Sequence, residues 1–375
     1  MKTVMALMTI GLFSQPAVAS DAYGDPFEGW GFVKDDWQVV CDNTLTCRAV
    51  GYADDDQWDK PISVLLTAIP KEALPTGLVQ FLPEVSEKSQ NNVALWLNGK
   101  NYGRLQPSSD SGLYDLTAKQ TNSLINSARL NTKIEIKAGD DSWTVSDKGM
   151  GAVLLKLDEV QGRVSTPIAL VSKNSTHKQT PKSAKPKPII KKAFSYSEKV
   201  NKTLSASKQA YFQANINRWI NIDDEQFVGS EDTTGNCELI NPKSETSINF
   251  AKYAGDSSGW DFTPIDATHT LAVHSCWMGA YNAASGYWLI DNAKPRNPQL
   301  ITTAGNDYFE GEISANHKDR GIGDCWNSKT WVWNGTTFAK MADSSTGMCK
   351  GFAGGAWDLP TYVSEVIEGN RKSDK

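Results

Sequence analysis

The sequence predicts two folded units: an α+β domain over residues 20–170 and a mainly-β, disulfide-stapled domain, sandwich or barrel-like, over residues 202–375. Three observations predict this. Roughly 355 residues follow a signal-like start, too many for one core. A stretch rich in Lys, Pro and Ser runs from Val171 to Asn201 (VSKNSTHKQTPKSAKPKPIIKKAFSYSEKVN) and reads as an extended, exposed linker. Four of the six cysteines and a cluster of tryptophans lie beyond it.

The chain opens Met-Lys-Thr, continues with an apolar run from Val4 to Phe13, and reaches Ala17-Val18-Ala19. A positive start, an apolar stretch of about ten residues and a small-x-small site make a signal peptide, cleaved after Ala19. A membrane-spanning helix needs about 20 apolar residues, and no later segment supplies them. The expectation is an exported protein, periplasmic or secreted, with no transmembrane segment. Oligomeric state is not legible.

Charge divides as composition does. Residues 21–170 carry a net −7, residues 171–200 a net +7 and residues 201–375 a net −6. The basic linker reads as a solvated spacer between two acidic units, with a tether to an anionic surface as the alternative. Acidic folded parts argue against nucleic acid as a partner.

Within the first unit, Trp37–Cys41 alternates into a strand and Cys47–Tyr52 forms its partner, with Asp42-Asn43-Thr44 as turn residues. Ile62–Ile69 and Val93–Leu97 are further strands, the latter closed by an Asn98-Gly99 turn. A helix is expected over Leu116–Leu130, with Leu116, Leu124, Ile125 and Ala128 near one face. Strands follow at Lys133–Lys137 and Ser142–Val145. Ser146-Asp147 reads as a cap for a second helix that buries Ala152, Leu155 and Val160 and stops at Gly162.

The second unit opens with a helix over Ser205–Ile220 and then breaks into short strands. Cys276-Trp277 with Tyr287–Ile290, and Cys325-Trp326 with Trp331–Trp333, read as copies of one hairpin. Asn334-Gly335 predicts a tight turn between TWVW and TTFAKM.

An even cysteine count in an exported chain reads as disulfides. Six cysteines allow 15 connectivities; sequential pairing, Cys41–Cys47, Cys237–Cys276 and Cys325–Cys349, is the expectation. No CxxC knuckle points to zinc, and no metal or cofactor is expected.

Three stretches carry a family resemblance: WQVVCDNTLTCRAVGY, LAVHSCWMGAYNAASGYWLI, and RGIGDCWNSKTWVWNGTTF with the later MCKGFAGGAW. Together they resemble a family of exported proteobacterial proteins of unknown function that is recognised by six cysteines. The first half is also similar to the invasion-associated locus B proteins, with SWTVSDKGMGAVLLKLDEVQGR in the expected place. The resemblance implies a periplasmic location and structural disulfides, and carries no reaction.

H-E-x-x-H, a Walker loop and a dinucleotide glycine pattern are absent from the sequence. His274 beside Cys276 is a candidate nucleophile pair, weighed against a disulfide. Asp54-Asp55-Asp56 with Asp59, and Asp223-Asp224-Glu225, are candidate calcium ligands, weighed against solvated loops. The Gly321–Cys325 turn is a candidate anion cradle. Asp307, Glu310, Glu312 and Asp324 offer carboxylates of the kind a glycosidase pairs. Trp331 and Trp333 share one strand face, either a sugar-stacking platform or core. Trp331, Trp333 and Asp324 are therefore the candidate binding residues, and no residue is assigned a catalytic role. The expected function is non-catalytic binding of an envelope protein or glycan. The alternatives are an envelope-glycan hydrolase using a carboxylate pair in the second unit, and a secreted or surface virulence-associated factor.

Overall fold

The computed structural model describes residues 29–57, 59–84, 92–110, 112–128, 131–173, 180–196, 203–222, 237–254 and 259–369. The signal-like start and the acidic run at 223–225 lie outside them.

Strands β1 (Trp30–Lys34), β2 (Trp37–Cys41), β3 (Cys47–Tyr52), β4 (Ile62–Ala68) and β5 (Thr76–Phe81) form successive antiparallel neighbours. Next come β6 (Ala94–Leu97), β7 (Lys100–Arg104), β8 (Gln106–Pro107), β9 (Tyr114–Leu116) and helix α1 (Ala118–Ser127). Then follow β10 (Ile134–Ala138), β11 (Asp141–Val145) and helix α2 (Met150–Val160). One sheet runs β1-β2-β3-β4-β5-β9-β8, and a second runs β11-β10-β6-β7. Asn98 and Gly99 both take positive φ and join β6 to β7 in the two-residue turn that the sequence predicts.

One face of the large sheet, with Trp37, Val39, Ala49, Val64 and Leu66, packs on Ile134, Ile136 and Trp143 of the second sheet and on α2. The other face, with Val40, Val50, Tyr52 and Leu65, is covered by Phe352, Ala356, Trp357 and Leu359 from the far end of the chain. Every residue of β2 is therefore buried, where the sequence predicts alternation. A strand covered on both faces has no solvent side to mark.

Helix α1 is closed by Thr117 and Gln120, whose side chains cap one another's backbone N–H groups. Helix α2 differs from expectation. Its buried positions are Met150, Val153, Leu154 and Leu157, while Ala152 is exposed and Leu155 and Val160 are half-buried. The N-cap is Gly149, not Ser146-Asp147; the Asp147 carboxylate instead accepts the Thr132 N–H at 2.7 Å. Gly149 sits at φ 89°, and a Cβ there would collide with the Lys34 carbonyl. That close approach sets the helix phase, which periodicity alone misjudged.

Beyond α2 the chain runs extended and mostly exposed from residue 180, tied by Lys182 N–H to the Gln161 carbonyl and by Lys185 N–H to Thr44. It forms β12 (Ile189–Lys192) and, after helix α3 (Ala206–Trp219), helix α4 (Glu245–Ala254). Helix α4 stands where only short strands were expected. Ser205 caps α3 by accepting the Lys208 N–H. Strands β13 (Asp261–Pro264), β14 (His269–Met278), β15 (Ala283–Asp291) and β16 (Gln299–Gly305) form one sheet in order. Strands β17 (Asp307–Phe309), β18 (Glu312–Lys318), β19 (Trp326–Trp333), β20 (Phe338–Ser345) and β21 (Leu359–Val363) form another. The last strand, β22 (Glu365–Glu368), pairs in parallel with β12.

In the four-stranded sheet, side chains over 271–272 and 287–290 alternate between two cores. Ala272, Trp288 and Ile290 meet Phe212 and Ile216 of α3. Leu271, Tyr287 and Leu289 meet Ile313, Trp333 and Phe338 of the five-stranded sheet. The two Cys-Trp hairpins are not copies. Cys276-Trp277 ends β14 and its aromatics lie on the partner strand, whereas Trp326 begins the same strand that carries Trp331 and Trp333. Nor is Asn334-Gly335 a two-residue turn: Trp333 pairs with Phe338 across a four-residue loop. Its Asn334 side chain accepts the Thr336 and Thr337 N–H groups.

Strand predominates over helix, and three disulfides join the expected cysteines: Cys41–Cys47, Cys237–Cys276 and Cys325–Cys349. No cysteine is free among the described residues. No helix among them is long and apolar enough to cross a membrane.

Candidate functional site

The residues singled out from sequence are largely engaged in holding the fold. Trp333 is fully buried and its ring lies 5.5 Å from Phe338 and 4.9 Å from His269. Trp331 packs half-buried against the same cluster. Their shared strand face is core, so Trp333 presents no ring to a ligand. Asp324 is 2% exposed; it accepts both branches of the Arg320 guanidinium and the Gly351 N–H. Asp324 and Trp333 flank opposite ends of β19, whose seven steps at about 3.3 Å span roughly 23 Å. These three residues therefore do not line one cleft.

The Gly321–Cys325 turn offers no anion cradle of its own, because Asp324 supplies the anion to Arg320 and to Gly351. Glu312 is paired with Lys192 at 2.5 Å. Asp307 lies near enough to Tyr287 to help burial push that phenol up to about 12. In the Asp54–Asp56 cluster, Asp54 pairs with Lys148 and Asp55 with Lys350, so two of the three carboxylates already hold ammonium partners. Cys276 is disulfide-bonded, and His274 is buried with its ring 4.9 Å from Trp260 and Nδ1 2.7 Å from the Ser275 carbonyl. No thiolate is left for a nucleophile pair. Asp319, Cys325 and Cys349 approach one another, but both sulfurs belong to a disulfide and lack the thiolate a metal needs.

Three concavities stand out among the described residues. The largest, about 410 Å³, is an open trough lined by Asp54, Asn131, Lys133, Asp147 and Lys148. Its ammoniums are paired, Lys148 with Asp54 and Lys133 with Glu135. A second, about 170 Å³, lies between Phe81, Glu84 and Tyr114 and borders residues outside the described set. The third, about 150 Å³, runs along the end of β14 and is lined by Leu239, Phe250, Ser275, Trp277, Met278, Ala283, Ala284, Ser285 and Asn306. No charged side chain lines it.

Behind this groove His317 of β18 is fixed from several sides. Its Nε2 lies 2.7 Å from the Ala304 carbonyl. A carbonyl only accepts, so Nε2 carries the proton. The neighbours of His317 are pinned as well. The Asn306 amide donates to the Asn316 carbonyl at 2.7 Å and accepts its N–H at 3.2 Å. The Asn282 amide does the same for Lys318, at 2.8 and 3.0 Å. The imidazole lies 5.2 Å from the Trp277 ring. Of seven buried side-chain polar atoms without a hydrogen-bond partner among the described residues, two lie here: Nδ1 of His317 and Nε1 of Trp277. In the neutral ring the first is an acceptor; the second is always a donor.

Sequence reading named Trp277 as part of a Cys-Trp hairpin and passed over His317, Asn282 and Asn306. The clamps join residues 10 and 36 positions apart, and local pattern carries no trace of such pairs.

Fold and site define a mainly-β, three-disulfide protein with a small uncharged groove and no exposed nucleophilic thiol among the described residues. The chain belongs to the family described as "Protein of unknown function (DUF1176)", which matches residues 32–364. Neither a curated protein nor a solved structure matches it.

Proposed function

We propose that this is an exported, non-catalytic binding protein whose ligand is an envelope component, protein or glycan, met at the Trp277 groove. One observation carries the reading: an uncharged groove walled by Trp277 and Met278, with Ser275 and Ser285 at its margin, lies over a histidine that two asparagine clamps and a carbonyl hold in place. A concave, mostly apolar wall with a few polar groups on a rigid support is how binding sites are built. Lys2, the Val4–Phe13 run and Ala17–Ala19 support export, as do three disulfides. The core shared by Leu271, Tyr287, Ile313 and Trp333 supports a sandwich-like second unit, residues 202–375, joined to the first, 20–170, by the connector 171–201. The six-cysteine pattern and the locus-B-like first half support work at a bacterial envelope. The hydrolase alternative has lost its leading carboxylate, since Asp324 is bound to Arg320.

A photo-cross-linking residue in place of Met278, which is 57% exposed at the groove, tests the reading in exporting cells. A discrete adduct is expected at 278 and not at Val33, an equally exposed control 56% accessible on the first sheet. Equal labelling at both positions would remove the groove as the binding site.

A further inference from the structure

The basic connector carries a surface separate from the groove. We propose that the ribbon formed by residues 182–194 and β22 seats the protein on an anionic phospholipid bilayer, with its lysines against the phosphates and Ile189, Phe194 and Ile367 at the headgroup boundary.

The ribbon is fastened to the protein. Pro181, Pro186 and Pro188 keep the chain extended. The Lys182 N–H donates to the Gln161 carbonyl at 2.9 Å, Lys185 to Thr44 at 3.0 Å and Ala193 to Trp333 at 2.9 Å. A passive spacer needs no such anchors. Anchoring by the backbone leaves the side chains outside: Lys182, Lys185, Lys187 and Lys191 are all exposed. Lys182 bonds to the Val160 carbonyl and Lys192 to Glu312. Lys187 and Lys191 have no ion pair among the described residues. Residues 171–200 hold a net +7 between units of −7 and −6. An anionic surface therefore attracts this stretch and repels the rest, which selects one face of the molecule.

Apolar side chains stand among the lysines. Strands β12 and β22 run parallel and pair Ile189 with Glu365 and Lys191 with Ile367. Side chains alternate along a strand, so these four share one side and Ile190 and Val366 the other. Ile190 is buried, whereas Ile189 is 63% and Ile367 37% exposed. Phe194, just past β12, is 53% exposed. Parallel strands ordinarily have both faces covered, and this pair leaves one open. Lysines beside exposed apolar side chains are what an interfacial segment presents to anionic lipid. A polyanion without hydrocarbon would leave Ile189, Phe194 and Ile367 in water. Glu365 and Glu368 are the exposed carboxylates of the ribbon, and the four exposed lysines outnumber them.

The test is flotation of the protein, purified from exporting cells, with vesicles of phosphatidylcholine alone or mixed with phosphatidylglycerol. Binding to the mixed vesicles, weakened by salt, is expected. One lysine near an anionic surface changes partitioning about fivefold, so Lys187→Gln with Lys191→Gln should weaken binding about 25-fold. Ile189→Ser with Phe194→Ser should weaken it about tenfold or more. These four side chains are exposed, and the wild-type comparison needs no variant to fold. Equal binding to both kinds of vesicle, or to neither, overturns the proposal. Wild-type binding kept by either double variant overturns it too. Capture by polyglutamate with the vesicles left unbound would make the partner an acidic polypeptide instead of a membrane.

Discussion

The side-chain amide of Asn43 pairs with both backbone groups of Val363, donating to its carbonyl at 3.0 Å and accepting its N–H at 2.8 Å across 320 residues. The Asn43 backbone N–H adds a bond to the Thr361 carbonyl at 3.1 Å. The loop closed by Cys41–Cys47 thereby acts as a strand neighbour for β21. Asn43→Ala removes two buried bonds, and a loss of about 2 kcal/mol is expected in urea unfolding. Asn43→Asp keeps the acceptor and loses the donor, so its midpoint should fall between the two. An unchanged midpoint for Asn43→Ala would show that the contact holds nothing.

Cys325–Cys349 closes a loop of 24 residues next to the segment that covers β2 and β3. Replacing both cysteines with Ser is expected to lower stability by about 3 kcal/mol on the chain-entropy account. Accelerated proteolysis between residues 346 and 358 should accompany it. Cleavage confined to other segments would separate the disulfide from the joint it adjoins.

The Asp324 carboxyl is held below the usual carboxylate range by the Arg320 guanidinium first and the Gly351 N–H second, against the opposing effect of burial. A depressed native pKa means that the unfolded chain takes up the proton first as pH falls. The stabilisation is complete above the unfolded value, about 3.9, and is lost as pH drops through the native one. Asp324→Asn should therefore cost about 1–3 kcal/mol at pH 7, and the gap to wild type should narrow below about pH 4. A gap that is the same at pH 7 and pH 3 would contradict this.

Lys350 reaches back to the first sheet, with Nζ 2.8 Å from Asp36, 3.2 Å from the Ala53 carbonyl and 2.5 Å from Asp55. Asp36 is buried and Asp55 is exposed. Lys350→Met strands the Asp36 carboxylate, at a cost of about 3 kcal/mol. The double variant Asp36→Asn with Lys350→Met should recover most of that loss. Additive costs in the double-mutant cycle would show that the two residues are not coupled.

The elements most legible in the sequence are those closed by local chemistry. The Cys41–Cys47 hairpin, the Asn98-Gly99 turn and the Ser205-capped helix each carry their own signal within a few residues. Sequential disulfide pairing matched because each cysteine met its nearest neighbour in the chain. What escaped depended on distant partners. The face that α2 buries follows from the approach of Gly149 to Lys34, and burial on both sides of β2 follows from Trp357 and Leu359. The platform reading of Trp331 and Trp333 rested on strand alternation, which says that two rings share a face and not what covers it. His317 has one unremarkable neighbour on each side in the sequence. Only the folded sheet brings Asn282 and Asn306 to them.

The cover over β2 and β3 has a consequence for synthesis. Residues 348–359 are made long after β2 and β3, so Val40, Val50 and Leu65 keep a bare apolar face until that segment follows. A chain that ends before residue 348 is therefore not a smaller stable protein but an open sheet, prone to sticking and to digestion. The segment works as a late seal: the sheet closes only once residues 348–359 are in place.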